Sequence, residues 1–275
     1  MVSGALAGKN REFWTSPGKS VKFQVLGPIG IATQDGLQVA PKALKLRSLL
    51  AYLCAHREEV VSVSRLTEVL WSGAPPRTAP TALHVYISKL RQYLQSLGLD
   101  ATSLIVTQPP GYRINLSGHV LDLDQFEVLL ARAGRLRSSL ESLEEASEVL
   151  DSAIALWRGR ALEDLRTVPA FDSLGQRLDE RRAFAHTQRL EIELELGNHK
   201  AVISEISSLI DERPTWENLY GYLMVALYRS GRTAEALAAY GRIRQVLVQD
   251  LGIEPGPQLK RLQQSILTHD PALTW

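Results

Sequence analysis

Cysteine is almost missing from this chain: Cys54 is the single one among 275 residues. One thiol cannot build an intramolecular disulfide framework, so a small stapled secretory fold is excluded and a reducing compartment is the natural setting. Cys54 closes the apolar helical stretch Leu49-Leu50-Ala51-Tyr52-Leu53-Cys54 and reads as a small core residue rather than a nucleophile. Long apolar runs are missing too. No stretch approaches a membrane span, and the apolar start at residues 2–7 lacks the basic region and long hydrophobic region of a signal peptide. A cytoplasmic protein is expected. Catalytic signatures are missing as well: there is no G-x-x-x-x-G-K-[ST], no G-x-G-x-x-G after a strand and no G-x-S-x-G. The six histidines show no paired ligand spacing. Asp122-Leu123-Asp124 lacks the glycine and distal glutamate of a calcium loop and reads as a helix N-cap with its link. Trp157-Arg158-Gly159-Arg160 reads as a helix end with a glycine C-cap, and Gly27-Pro28-Ile29-Gly30 as a hairpin turn. No metal, no cofactor and no catalytic residue is expected; the chain does not read as an enzyme.

What is present is an uneven distribution of charge. The net +1 conceals thirteen Lys/Arg against six Asp/Glu in residues 1–118, a net of +7, and eighteen against twenty-four in residues 119–275, a net of −6. A basic first half suits a polyanionic partner, because phosphate neutralisation supplies most of the binding free energy on nucleic acid. Ordinary scatter of surface charge would account for it nearly as well, so motifs must decide.

Residues 1–20 show no sustained periodicity and predict a mobile arm. Alternation then begins in Val21-Lys22-Phe23-Gln24-Val25-Leu26, Ile29-Gly30-Ile31-Ala32-Thr33 and Leu37-Gln38-Val39, which predicts three short antiparallel strands. Pro41 opens a leucine-rich helix to about His56. Ser62 or Ser64 caps a second helix carrying Leu66, Val69, Leu70 and Trp71, which Ser72-Gly73-Ala74-Pro75-Pro76 must break. Thr78 and Pro80 begin a third helix with the buried stripe Leu83, Ile87, Leu90 and Leu94. Leu104–Thr107 and Tyr112–Asn115 bracket Gln108-Pro109-Pro110-Gly111 as a hairpin. From about residue 122 onward everything reads helical. Gly197 and Gly231 are 34 residues apart, and Val202, Ile206 and Leu209 recur after the second glycine as Ala236, Tyr240 and Ile243. That is the period of a tetratricopeptide-type hairpin. Ala146, Leu150 and Ala153 repeat the spacing, so three degenerate hairpins are expected.

The predicted fold is mainly α with a small antiparallel β component: an arm at 1–20, a winged helix at 21–117 and a tetratricopeptide-like helical domain at 122–272. A winged helix places one helix in the major groove and a hairpin beside it. The polar face of the third helix offers what such a helix needs. Val85 can touch a thymine methyl, Lys89 can reach guanine, and His84 or Gln92 can read nearby bases. Thr81, Ser88 and Arg91 suit the phosphate backbone. Taken alone, such a face is more often a solvated helix, and a lone histidine like His84 more often a surface residue.

At these residues the chain resembles the AfsR/DnrI/RedD family, the Streptomyces antibiotic regulatory proteins, in their small form. The resemblance rests on Pro41-Lys42 with its leucine-rich helix, Val60-Val61-Ser62-Val63, Leu70-Trp71 and Pro75-Pro76-Arg77-Thr78-Ala79. It continues through Val85-Tyr86-Ile87-Ser88-Lys89-Leu90-Arg91, Pro109-Pro110-Gly111-Tyr112, Leu156-Trp157-Arg158-Gly159, Leu227-Tyr228-Arg229-Ser230-Gly231-Arg232 and Leu251-Gly252-Ile253-Glu254-Pro255-Gly256. What the resemblance implies is an OmpR/PhoB-type winged helix, the output fold of two-component-like phosphorelays, followed by a bacterial transcriptional activation domain. It further implies activation of an antibiotic or other secondary-metabolite gene cluster, binding as tandem copies to direct repeats near the −35 region, and recruitment of RNA polymerase holoenzyme at the nucleoid. Carried over by motif, Val85 and Lys89 fall at base-reading positions. Trp71, Thr81, Tyr86, Ser88, Arg91, Thr107 and Tyr112 fall beside phosphates. Ser72, Gly73, Ala74, Pro75, Pro76 and Arg77 belong to the loop that faces polymerase. Wings of this type often present an arginine to the minor groove; Pro109 stands there instead, leaving Arg113 for phosphate. No receiver and no nucleotide-binding domain is read in the sequence, so neither receiver phosphorylation nor ATP hydrolysis is expected as a switch.

The competing function is a helical-repeat adaptor or small-molecule receptor whose first domain contacts a protein partner. The charge split and the Pro-Pro-Gly-Tyr tip favour the activator. The segment 20–118 is expected to fold alone, since it has its own strands and leucine stripe.

Overall fold

The alternation that begins at Val21 is realised as a hairpin. β1 (Val21–Gln24) and β2 (Gly30–Thr33) pair antiparallel with Phe23 opposite Ile31, and β3 (Gln38–Val39) extends the sheet. The structure is a computed structural model describing residues 20–137, 142–270 and 273; the arm expected at 1–20 lies almost wholly outside the described residues. A further strand, β7 (Val120–Leu121), runs parallel to β1, giving the order β3-β2-β1-β7. Two residues are too few to carry an alternation signal, so this strand is invisible to periodicity.

α1 (Leu44–Ala55) starts three residues later than Pro41 suggested, because Ala43 stays extended at ψ 127° and Pro41 is itself buried. Leu49, Leu50 and Leu53 of α1 are fully buried with Phe23, Leu26 and Ile31 of the hairpin. β4 (Val61–Ser62) leads into α2 (Val63–Leu70), where the Ser62 hydroxyl accepts the Arg65 amide at 3.2 Å. α3 (Ala79–Ser96), the short α4 (Ala101–Leu104), β5 (Ile105–Gln108) and β6 (Gly111–Ile114) follow. The second sheet has the order β4-β6-β5, with Ser62 opposite Gly111. A Cβ at Gly111 would lie 1.8 Å from the Val61 carbonyl oxygen, so this register admits only glycine.

The remaining elements are helical: α5 (Asp122–Leu136), α6 (Leu143–Ile154), a 3-10 turn (Glu163–Leu165), α7 (Pro169–Glu195), α8 (His199–Glu212), α9 (Glu217–Arg229), α10 (Thr233–Val246), a π-helical turn (Leu247–Leu251) and α11 (Pro257–Leu267). Contacts divide the chain into two compact units. One comprises the positions up to Leu129 with Ser152–Arg182, the other Leu130–Asp151 with the positions from Ala183 onward. Residues 152–182, which sequence alone groups with the helical half, therefore belong to the unit of the winged helix.

The reason is hydrogen bonding around the β1–β2 loop. Asp122 is 1% exposed and accepts the backbone N–H groups of Val25 and Leu26 at 2.9–3.1 Å. Arg158 N–H donates to the Leu26 carbonyl at 2.9 Å, Leu162 N–H donates to that of Gly27 at 2.7 Å, and Ile29 N–H donates to Asp164 at 2.9 Å. Asp164 also pairs with Arg47 of α1 at 2.9 Å. Two sequence readings are corrected here. Asp122 does not act as a plain N-cap: its carboxylate closes a distant loop, while Asp124 pairs with Arg57. Nor is Gly159 the C-cap of α6, which ends at Ile154. The segment 157–160 runs instead along residues 25–27, close enough that a Cβ at Gly27 (φ +143°) would stand 3.0 Å from Arg158 Cβ.

The expected 34-residue repeat appears as α7–α8 and α9–α10, each pair turning at a glycine of the second unit with φ of +82° or +79°. Val202, Ile206, Ala236, Tyr240 and Ile243 are buried in one core, and Leu209 packs against it half-buried. Ala146 and Leu150 of the second unit are buried as well, and so is Ala153, which falls in the first. The second repeat ends without a proline because α10 relaxes into the π-helical turn, which Gly252 stops at φ +68°.

Candidate nucleic-acid interface

α3 is a two-faced helix. Leu83, Ile87, Leu90 and Leu94 are at most 2% exposed and seat it on the core. Thr81, His84, Val85, Ser88, Lys89 and Gln92 are exposed on the opposite side. At 1.5 Å rise per residue the stripe from Thr81 to Gln92 is about 16 Å long, enough to follow a major groove across several base pairs. Val85 is 48% exposed. A bare isopropyl group in the middle of a polar stripe costs hydration in the free protein and is useful against another apolar surface, such as a thymine methyl. Lys89, beside it, has no ion-pair partner among the described residues.

The β5–β6 wing stands against this helix through two contacts. The Tyr112 hydroxyl and His84 Nδ1 are hydrogen-bonded at 2.6 Å, with the Tyr112 ring almost fully buried. Burial raises the Tyr112 pKa, so the phenol stays protonated. Arg91 donates from Nη2 to the Ile105 carbonyl at 2.5 Å and to Thr107 Oγ1 at 2.9 Å, and from Nε to the same carbonyl at 3.2 Å. Sequence expected Arg91 and Tyr112 beside phosphates; the structure places both between α3 and the wing. The separations, 28 residues for Tyr112–His84 and 16 for Arg91–Thr107, leave no local signal for either contact. At the wing tip Thr107, Gln108, Pro109 and Pro110 are exposed, while Arg113 is half-buried and its Nε has no hydrogen-bond partner among the described residues.

The other flank is built on Trp71, the residue that ends α2. Its ring centroid is 6.0 Å from that of Tyr86 on α3, and the Lys45 ammonium stands 4.8 Å from it. Lys45 also donates to the Leu70 carbonyl, which gives the open C-terminus of α2 a cation. Sequence reasoning did not single out Lys45. Residues 72–78 are exposed throughout, and the turn out of α2 uses Ser72 (φ +53°) and Gly73 (φ +82°).

Residues 39–114 match the family described as transcriptional regulatory protein, C terminal, and residues 121–267 match the bacterial transcriptional activator domain. The regulatory protein DnrI of Streptomyces peucetius is 35% identical over 258 residues, covering 92% of this chain and 94% of DnrI. The chain belongs to the Streptomyces antibiotic regulatory protein family. The transcriptional regulatory protein EmbR of Mycobacterium tuberculosis, 37% identical over 92% of this chain, is another relative; the chain spans 65% of EmbR's length. The solved structure of Mycobacterium tuberculosis EmbR in complex with a low affinity phosphopeptide superposes with a TM-score of 0.84 at 34% identity, covering 93% of this chain and 68% of that one. In this chain the winged helix precedes the helical activator domain. No helix among the described residues is long and apolar enough to cross a membrane.

Proposed function

We propose that the protein is a sequence-specific DNA-binding activator of a secondary-metabolite gene cluster. In this proposal α3 lies in the major groove, Val85 and Lys89 read base edges, and His84 and Gln92 touch neighbouring bases. Thr81, Ser88, Tyr86 and Thr107 meet phosphates, with Trp71 and Arg113 at the flanks. Copies bind in tandem on direct repeats near the −35 region, and the loop from Ser72 to Arg77 faces RNA polymerase holoenzyme. The observation that carries the proposal is the exposed Val85–Lys89 pair on a helix whose other face is sealed and whose side is braced by a hairpin. An adaptor surface has no need of an unpaired cation and an uncovered isopropyl group in one groove-length stripe.

The test is discrimination, not affinity alone. Lys89→Ala is expected to cost about 1–3 kcal/mol on the cognate repeat and much less on random DNA. Gel-shift titrations at fixed salt measure both; equal losses on the two DNAs would remove Lys89 from base readout.

A further inference from the structure

The hydrogen bond that joins the wing to α3 does more than brace the two. Tyr112 on β6 is 4% exposed, so its ring is held in place. Its hydroxyl has His84 Nδ1, at 2.6 Å, as its hydrogen-bond partner among the described residues. The rings meet edge-on, at 68° with centroids 6.2 Å apart, so the hydroxyl joins them and stacking does not. His84 itself is exposed, one helical turn from Thr81 and from Ser88 on the stripe.

A neutral imidazole carries one N–H, and the partner of one ring nitrogen decides where that proton sits. His56 shows one outcome. Its Nδ1 faces the Tyr52 carbonyl at 2.9 Å, which can only accept, so Nδ1 holds the proton there. At His84 the partner is a phenol, whose O–H is a better donor than its oxygen is an acceptor. Burial keeps that phenol protonated, and the nearby Arg91 cation strengthens it as a donor. The contact is therefore the Tyr112 O–H donating to a bare His84 Nδ1. The imidazole proton is left on Nε2, which no group of the described residues engages.

We infer that Tyr112 is the positioning residue for His84: it fixes the tautomer, so that α3 presents Nε2–H as a single donor and selects a guanine. Guanine offers N7 and O6, both acceptors. Adenine sets an amino donor beside N7, cytosine offers only a donor, and thymine crowds its one acceptor with a methyl group. The inference rests on the major-groove placement of α3 proposed above. Without the hydroxyl the proton is free to move to Nδ1, and Nε2 then becomes an acceptor that no longer matches guanine. One neutral hydrogen bond gained or lost corresponds to about three- to tenfold in affinity.

Two measurements on the full chain test this, one without DNA and one with it. Long-range proton–nitrogen correlation NMR at pH 8 reads the tautomer, with the His84 signals identified by their loss in His84→Ala. Nε2–H is expected in the parent, and a mixture of both tautomers in Tyr112→Phe, which keeps the buried ring and removes only the hydroxyl. A thermal melt followed by circular dichroism confirms that each variant is folded. A proton on Nδ1 in the parent, or the same tautomer in both proteins, overturns the inference whatever happens on DNA.

The second measurement starts from a randomised duplex library selected on the parent. Each guanine of the enriched sequence is then replaced in turn by 7-deazaguanine, which pairs normally but lacks N7. One replacement should cost the parent about three- to tenfold in affinity, and His84→Ala and Tyr112→Phe less than about twofold. The base discrimination that Lys89→Ala removes should persist in Tyr112→Phe. A wing that is merely loosened would instead flatten every position together. That result, or the lack of any guanine whose N7 matters only while His84 and Tyr112 are both intact, overturns the inference and leaves the activator proposal standing. Enrichment of no sequence at all overturns both.

Discussion

Removing the Asp122 carboxylate tests whether the winged helix depends on the chain that follows it. In Asp122→Ala the Val25 and Leu26 amides lose their acceptor in a site that is 1% exposed. Each buried unsatisfied donor costs about 1–3 kcal/mol, so the loss of an acceptor for two should cost about 2–6 kcal/mol. A typical domain has about 5–15 kcal/mol in total. The melting temperature should fall by about 10 °C or more. Asp122→Asn keeps one carbonyl acceptor and should cost less. The two variants also separate charge from geometry. Burial raises the Asp122 pKa from 3.8 to about 6, against the opposing pull of the Val25 and Leu26 amides, Arg158 and Lys22. The folded state therefore holds this proton more tightly than the unfolded chain. Its contribution is fully present below pH 3.8, declines as pH rises toward about 6, and is flat above that. Urea titrations of parent and Asp122→Asn, followed by circular dichroism between pH 4 and 8, should give a difference that shifts in favour of the variant across that window. If Asp122→Ala loses under 1 kcal/mol, or the difference is independent of pH, the proposed clamp on the β1–β2 loop is wrong.

Other outcomes follow from the same geometry. A chain ending at residue 118 lacks β7, Asp122, Arg158, Leu162 and Asp164, so it should show no cooperative melt, contrary to the expectation from its strands and leucine stripe; a sharp transition near that of the full chain would refute this. Arg91→Ala should weaken DNA binding by loosening the wing while leaving the slope of log affinity against log salt unchanged, whereas a true phosphate contact would lower that slope by about one. Charged residues at Ser72 and Ala74 should leave operator affinity within about twofold and reduce transcription in a reconstituted polymerase assay; parental transcription at matched occupancy would place the polymerase contact elsewhere.

Much was legible in the residues themselves. Leucines at 83, 87 (as Ile), 90 and 94 determine which side of α3 is sealed, and therefore which residues remain for a groove, because helical period and burial are local properties. The Pro-Pro-Gly tip and the 34-residue glycine spacing are legible for the same reason. What the sequence could not decide were relations between distant positions. Nothing local distinguishes an Asp122 that caps its own helix from one that closes a loop 97 residues earlier. Nothing local shows whether the Arg91 guanidinium points outward or folds back on a carbonyl 14 residues away. Those outcomes depend on which backbone groups lack partners after the chain has packed. An amide left over at one end of the sequence is satisfied by a carboxylate that only tertiary structure brings within hydrogen-bond distance.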